Sequence, residues 1–190
     1  LAKDGKPASE IEVMVIAIGM IVGNLRRFIS RRTFAEAKGD VVLPPNRPVA
    51  LMFTDVEGFS RITESMRQDV IPVLKWYLGD MSQGVAEYRG DVDKFIGDAI
   101  MAFWNAPEAV DDHPAVACEV ALRCQARLAE LNTAWARGGL PPVRSRIGLH
   151  TDTALVGNLG STKRMDYTVV GDGVNLASRL MPGREADWAI

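Results

Sequence analysis

Hydrophobic residues near the start of the chain recur at alternating spacings of three and four. They are Ile11, Met14, Ile18, Ile21, Leu25 and Phe28. This spacing places one apolar stripe along a helix with the seam geometry of a coiled coil, so two copies could pair there. A helix that packs on its own domain is the alternative, because the repeat covers fewer than three heptads. Residues 1–40 are therefore predicted as an amphipathic linker or coiled-coil helix.

The following segment changes the pattern from helical to extended. Residues 41–48 contain Pro44, Pro45 and Pro48, which break a helix and predict a linker. Beyond it, short apolar runs alternate with helical patterns. Strands are predicted over 49–55, 90–96, 99–103, 144–150, 154–159 and 167–170, helices over 59–66, 70–88, 114–136 and 174–180, and a polar loop over 160–166. This order favours an α+β fold with helices over a mostly antiparallel sheet.

Size and composition narrow the class of protein. A chain of 190 residues that is 47% hydrophobic can bury one sizeable core, so we expect a single globular domain with an appendage. The net charge is -2, whereas proteins that bind nucleic acid usually carry an excess of basic residues. No nucleic-acid partner is therefore expected. Cys118 and Cys124 lie six apart in a helical pattern, on different faces, and are expected to be reduced residues that pack in the interior. Trp76, Trp104 and Trp135 are predicted to pack in the core.

Two aspartates are candidates for metal binding. Asp55 ends an apolar strand and Asp98 lies in the turn of a hairpin, and each interrupts an otherwise apolar stretch. Hard divalent cations bind carboxylate oxygens, and a pair of such ions can serve a phosphoryl transfer. The alternatives are that Asp55 caps the next helix and that Asp98 only makes the turn.

A candidate phosphate site follows Asp55 directly. Gly58, Phe59 and Ser60 open a helix, where free backbone N–H groups and the helix dipole favour an anion. An ordinary helix start is the alternative. Because this segment lies three residues from Asp55, a metal and a phosphate cradle together would suit a triphosphate.

Four segments together resemble the signature blocks of class III adenylate and guanylate cyclases. They are FTDVEGFS (53–60), DKFIGDAIMAFW (93–104), RIGLHT (146–151) and VGNLGSTKRMDYTVVGDGVNLASRL (156–180). The blocks occur in the family's order and with family-like spacing. The resemblance implies a ferredoxin-like or palm-like α/β sandwich, with residues 49–190 as the catalytic domain. It also implies an adenylate cyclase that converts ATP to 3′,5′-cyclic AMP and pyrophosphate in intracellular signalling.

The resemblance also assigns roles to individual residues. Asp55, Asp98 and the backbone carbonyl of Val56 would hold two Mg²⁺ ions per site, for which Mn²⁺ could substitute. Lys94 and Thr168 would read the purine, where guanylate cyclases typically have glutamate and cysteine. A lysine ammonium can donate to adenine N1, whereas guanine has a donor there. The alternatives are a solvated charge at Lys94 and a β-forming residue at Thr168.

The last helical pattern contributes two further candidates. Asn175 and Arg179 are four residues apart and share one helix face. The resemblance implies that Asn175 orients the ribose and that Arg179 stabilises charge on the α-phosphate, which suits a guanidinium group. A pair on the helix surface is the alternative.

The chain also departs from the family pattern. Family members continue beyond the segment that ends at Leu180 with further strands and a lysine that contacts the triphosphate. No lysine follows Lys163, so we expect the C-terminal strands to be missing and find no candidate for that lysine. Asp152 stands where a glycine is usual.

The expected partners follow from the spacing of Lys94 and Asp98. Both flank one tight hairpin, yet the family assigns them to opposite ends of ATP, which a homodimer with shared sites resolves. The N-terminal helix resembles the closing helix of relay modules, so we expect an upstream sensor or relay domain. The chain would then be a cytoplasmic domain whose parent could be membrane-tethered. A guanylate cyclase, a catalytically silent cyclase-like dimerisation module and a polymerase-type palm are the competing interpretations.

Overall fold

A computed structural model describes residue 14, residues 46–161 and residues 164–181. Apart from residue 14, the predicted N-terminal helix lies outside these residues, as do most of the proline-rich linker and the tail beyond Met181. Among the residues described, no helix has the length and apolar character needed to cross a lipid bilayer.

The described residues from Asn46 onward form an α+β fold, as predicted. Its elements are β1 (Asn46–Val56), α1 (Phe59–Met66), α2 (Val70–Glu87), β2 (Asp91–Ile96), β3 (Ala99–Trp104), α3 (His113–Arg137), β4 (Ser145–Ser161), β5 (Arg164–Val170) and α4 (Asp172–Arg179). A 3₁₀ helix (Arg67–Asp69) separates α1 from α2. The strands form one sheet in the order β2-β3-β1-β4-β5, and every neighbouring pair is antiparallel.

Different helices pack on the two faces of the sheet. Successive side chains of a strand point to opposite faces. Ala50 and Met52 of β1 belong to a large hydrophobic cluster that includes residues of α2 and α3. Leu51 and Phe53 belong to a second cluster that includes Ala177 of α4. Because both faces are covered, β1 is a continuous apolar run. Asp55 continues the odd-numbered series and therefore lies on the α4 face.

Strand β4 is longer than predicted. The sequence predicts two strands and a polar loop over 160–166, but Ser145–Ser161 is one strand of 17 residues. Thr151 and Thr153 pair with Ala50 and Pro48 of β1, so sheet pairing and β-branched side chains outweigh the local polarity. The loop prediction is wrong as well, because positions 160, 161 and 164–166 belong to the ladder between β4 and β5.

The tryptophan prediction is only partly confirmed. Trp104 and Trp135 are buried, but Trp76 is 52% exposed. Its ring stacks on that of Trp135, with 6.5 Å between the centroids. Trp76 lies outside the row of buried positions on α2, so it covers the core from the surface. Both cysteines are free thiols, and Cys124 is buried as predicted, but Cys118 is exposed and the packing role predicted for it is wrong.

Candidate functional site

Two carboxyl groups meet at one end of the sheet. Asp55 lies near the end of β1, and Asp98 lies in the turn between β2 and β3. The backbone N–H of Val56 donates to Asp98 Oδ2 at 3.0 Å. Burial and the neighbouring Asp55 carboxyl, with which it is hydrogen-bonded, raise the pKa of Asp98 to about 6. The two carboxyl groups therefore occupy a single site.

The structural alternative for Asp55 is excluded. The N-cap of α1 is Gly58, whose φ is 67°, and no side chain caps this helix. Asp98 does form the hairpin turn, but its hydrogen bond to Val56 also ties that turn to β1. Asp98 thus joins two segments that are far apart in the sequence.

An arginine that the sequence interpretation missed completes this cluster. Arg146 of β4 pairs directly with Asp55 of β1, and its Nη2 atom lies 2.6 Å from Asp55 Oδ2. Both side chains are largely buried, with exposed fractions of 19% for Arg146 and 4% for Asp55. Arg146 belongs to the RIGLHT segment, so the signal was present, but only the strand register reveals its partner.

A cleft lies beside the carboxyl groups. It has a volume of about 800 Å³, and its lining includes Gly58 and three arginines, Arg61, Arg144 and Arg146, against one glutamate, Glu57. The first turn of α1, which begins at Phe59 and Ser60, carries no acidic residue. Guanidinium groups bind phosphate oxygens with paired, charge-assisted hydrogen bonds. The cleft is therefore suited to a polyanion.

The carboxyl pair also fits a particular kind of metal ion. Within 46–161 and 164–181, no group of three or more histidine, cysteine, aspartate or glutamate side chains could hold a metal. Mg²⁺ does not need such a cage, because it retains water and binds one or two carboxylates together with substrate phosphates. The hard oxygen atoms of Asp55 and Asp98, next to an anion cleft, match that requirement.

A second pocket lies on the α4 face of the sheet. Its volume is about 200 Å³, and Lys94, Thr168 and Asn175 line it together with apolar side chains such as Phe53 and Met101. The structure thus brings together three candidates from β2, β5 and α4. Arg179 is not part of this lining and stands exposed at the end of α4. Mostly apolar walls with a few polar groups are typical of ligand pockets.

The pocket contains a further contact that the sequence interpretation missed. Thr168 Oγ1 donates to Asp93 Oδ2 at 2.5 Å, and Lys94 Nζ lies 3.6 Å from Asp93 Oδ1. Asp93 directly precedes Lys94, but no local pattern indicates that it reaches β5. The apolar pocket and the arginine cleft have no lining residue in common.

Comparison with known sequences identifies relatives. The family model described as "Adenylate and Guanylate cyclase catalytic domain" matches residues 41–186. Adenylate cyclase 1 of Rhizobium meliloti is 43% identical over 133 residues, which cover 70% of this chain and 20% of that protein. Adenylate cyclase of Anabaena cylindrica is 34% identical over 139 residues, covering 70% of this chain and 27% of that protein. The chain therefore spans only a minor part of these relatives.

Solved structures show the same architecture. The guanylyl cyclase Cya2 is similar with a TM-score of 0.68 and 34% identity, covering 72% of this chain and 70% of that one. The adenylyl cyclase CyaB from P. aeruginosa is similar with a TM-score of 0.68 and 32% identity, covering 71% of each chain.

Proposed function

Because the chain belongs to the family of adenylate and guanylate cyclase catalytic domains, we propose that it converts ATP to 3′,5′-cyclic AMP and pyrophosphate. The observation that carries the choice of ATP is the pair Lys94 and Thr168 in one small apolar pocket. A lysine ammonium can donate to adenine N1 but opposes the N1–H of guanine. Similarity to two proteins named adenylate cyclase supports this choice.

The triphosphate would bind at the carboxyl pair and the arginine cleft. Asp55 and Asp98, with the carbonyl of Val56, would hold two Mg²⁺ ions, and Mn²⁺ could replace them. When bound, these ions activate the ribose 3′-hydroxyl and neutralise charge on the departing pyrophosphate. Backbone N–H groups at Phe59 and Ser60 would receive phosphate oxygens at the start of α1, which follows Gly58.

The remaining residues position the reacting groups. Asn175 would orient the ribose from the purine pocket, and Arg179 would stabilise charge on the α-phosphate. The 3′-hydroxyl oxygen then attacks the α-phosphorus in line and loses its proton to water. The bond between the α-phosphorus and the oxygen that bridges it to the β-phosphorus breaks, and that oxygen leaves with the pyrophosphate. Positioning and charge stabilisation supply most of the acceleration in such phosphoryl transfers.

The site would be completed by a second copy of the chain. The cleft and the pocket have no lining residue in common, although one nucleotide must contact both. Large apolar side chains are exposed on β4, on β5, on α4 and at the residue that follows α4, namely Leu155, Leu159, Val170, Leu176 and Leu180. Such a patch suits a protein interface. In a two-fold homodimer, each site takes Asp55 and Asp98 from one subunit and the purine pocket from the other.

The chain would act as the output domain of a longer signalling protein. Its relatives are several times longer than the segment they share with it, which leaves room for an upstream sensor or relay domain. We propose that this output domain is cytoplasmic, where ATP is available, and that its parent protein is tethered to a membrane. Fractionation of cells that express the parent protein tests both points.

The function is tested by incubating the dimeric protein with ATP or GTP in the presence of Mg²⁺ or Mn²⁺ and separating the products by chromatography. We expect cyclic AMP, and loss of product in Asp55→Ala and Asp98→Ala. Asp111→Ala, at an exposed aspartate, is the matched control and should retain activity. Preferential formation of cyclic GMP would indicate a guanylate cyclase. No cyclic product from a verified dimer would indicate a silent dimerisation module.

A further inference from the structure

We propose that Asp93 determines nucleotide specificity by fixing the hydrogen-bond polarity of the purine pocket. Its carboxylate accepts the one hydrogen bond that the Thr168 hydroxyl can donate and holds the Lys94 ammonium nearby, so that the pocket accepts a 6-aminopurine and rejects a 6-oxopurine. This inference rests on the proposed function and adds a residue to which no role has so far been given.

The backbone of β2 explains how two consecutive residues serve one pocket. In a regular strand, Asp93 and Lys94 would point to opposite faces of the sheet. The pairing with β3 shifts at this point, because Val92 pairs with Ala102 and Lys94 pairs with Met101. Asp93 is the extra residue of this bulge, and bulges re-aim side chains next to functional sites. Lys94 therefore lines the pocket while Asp93 bonds to Thr168, which also lines it.

The contacts of Asp93 define its role. Its side chain is fully buried, with an exposed fraction of 0%. Thr168 Oγ1 donates to Oδ2 at 2.5 Å, and Lys94 Nζ lies 3.6 Å from Oδ1. Burial raises the pKa of Asp93, while the Thr168 hydroxyl and the Lys94 ammonium act in the opposite direction. These two neighbours favour the ionised carboxylate, which can only accept hydrogen bonds.

The polarity of the pocket follows from counting protons. A threonine hydroxyl can donate one hydrogen bond, and here it donates to Asp93. The remaining lone pairs of Thr168 can only accept from a ligand. The 6-amino group of adenine donates, whereas the 6-oxo group of guanine or hypoxanthine can only accept. Lys94 donates to the unprotonated N1 of adenine and opposes the N1–H of a 6-oxopurine. The Asp93 carboxylate thus sets the direction of the Thr168 hydrogen bond, and it holds beside it the Lys94 ammonium, which can only donate.

Replacing the carboxylate by an amide of nearly the same shape removes this constraint. The side chain of Asp93→Asn can either donate or accept, so the Thr168 hydroxyl is free to turn its proton toward a 6-oxo group. Lys94 also loses its anionic neighbour. We expect the preference for a 6-aminopurine over a 6-oxopurine to fall by about tenfold or more.

The probes are 3′-deoxy-ATP and 3′-deoxy-ITP, which lack the attacking hydroxyl and differ from each other only at the purine edge. Their dissociation constants are measured by calorimetry on the homodimer with Mg²⁺. The proteins are the wild type, Asp93→Asn, Thr168→Val and the double variant, with Asp91→Asn on the same strand as the matched control. We expect the ratio of the dissociation constant for 3′-deoxy-ITP to that for 3′-deoxy-ATP to be the same in the wild type and in Asp91→Asn. In Asp93→Asn this ratio should fall most of the way to one. The effects of the Asp93 and Thr168 substitutions should be non-additive, because they act through one hydrogen bond.

If Asp93 had only a structural role, Asp93→Asn would weaken the binding of both nucleotide analogues by the same factor. That result would overturn the inference. An unchanged ratio in Asp93→Asn, or a wild type without preference, also overturns it. Cyclic AMP formation is assayed separately on the wild type. A wild type that makes cyclic AMP while Asp93→Asn keeps its ratio refutes only the role of Asp93. A wild type that makes none refutes the proposed function, and the binding ratios still decide the inference.

Discussion

Arg146 on β4 stands directly opposite Asp55 on β1, with 2.6 Å between Arg146 Nη2 and Asp55 Oδ2. This pair lies beside a second carboxyl group, that of Asp98, whose pKa is raised to about 6 by burial and by Asp55. The guanidinium group therefore supplies positive charge where two acidic groups share one site. Strands β1 and β4 and the β2–β3 hairpin turn each contribute one of these three charged groups.

Removing Arg146 should destabilise the fold. Breaking one partner of a buried ion pair leaves an uncompensated charge, so Arg146→Met should lower the free energy of unfolding by about 3 kcal/mol. Urea denaturation at neutral pH without divalent ions measures this loss. Arg144→Met, at an exposed arginine two residues away, is the control and should change stability by about 0.5 kcal/mol or less. Equal effects of the two substitutions would contradict the structural role of the pair.

Removing the charge of Asp98 should stabilise the metal-free protein at neutral pH. The ordinary pKa of this carboxyl is 3.8 and the folded value is about 6, so ionisation is harder in the folded chain. The resulting cost is absent below about pH 4, grows up to about pH 6 and is complete above it. Asp98→Asn should therefore raise the free energy of unfolding by roughly 1 kcal/mol after allowance for solvent screening. That corresponds to about 2–4 °C in Tm.

Thermal unfolding at pH 4 and pH 7.5 measures this effect. The stabilisation should disappear at the lower pH. Addition of Mg²⁺ should stabilise the wild type more than the variant, because the variant has lost a ligand. If the variant were less stable than the wild type at pH 7.5 without metal, the claim that the ionised Asp98 carboxylate destabilises the folded protein would be wrong.

The exposed arginines of the cleft should hold the phosphates. Charge-assisted hydrogen bonds to phosphate are strong, so the double variant Arg61→Gln, Arg144→Gln should raise KM for ATP by about tenfold or more. Inhibition by pyrophosphate should weaken by a similar factor, because it lacks the nucleoside. Arg137→Gln, at the exposed end of α3, is the control. Weaker ATP binding with unchanged pyrophosphate inhibition would show that the cleft does not bind phosphate.

Exchanging the purine-reading pair should change the preferred nucleotide. Lys94→Glu together with Thr168→Cys inverts the donors and acceptors that face the purine edge. The ratio of kcat/KM for ATP to that for GTP should shift toward GTP. Measurement of both cyclic products under identical conditions checks this. A wild type that already prefers GTP would refute the assignment of these two residues.

Two inactive variants should restore activity when they are mixed. In an Asp55→Ala/Asn175→Ala heterodimer with shared sites, one site carries both defects and the other carries none. Random pairing makes about half of the dimers mixed, so activity should approach about a quarter of the wild-type value. A mixture of Asp55→Ala with Asp98→Ala is the matched control, because both residues serve the same half of the site and no recovery is expected. Equal results from the two mixtures after verified subunit exchange would favour a site within one chain.

Local patterns in the sequence predicted much of the fold. The bounds of α1 coincide with those expected from its helical pattern, and the turn at Gly97 and Asp98 lies where the hairpin signal places it. Both depend on residues that are close in the sequence. The continuity of β4 could not be predicted in this way, because its polar centre is held by pairing with β1.

In the candidate site too, the sequence predicts which residues take part but not the contacts between residues that are far apart in the chain. The motifs identify Asp55, Asp98, Lys94 and Thr168 as candidates, since their types are informative at their positions. The ion pair of Arg146 with Asp55 depends on strand register, which joins residues 91 apart. The contact of Asp93 with Thr168 depends on a bulge and on a strand 75 residues away. Sequence patterns of short period carry no information about either distance.

The bond between Asp93 and Thr168 is also expected to form late in folding. These residues belong to β2 and β5, which are the two outer strands of the sheet. Closing a link across a long segment costs chain entropy, which must be repaid by contacts already made. We therefore expect the purine pocket to assemble only once the sheet is complete. During synthesis, β5 and α4 are the last described elements to leave the ribosome. A growing chain therefore contains Asp55 and Asp98 before it contains Thr168 and Asn175, which complete the purine pocket.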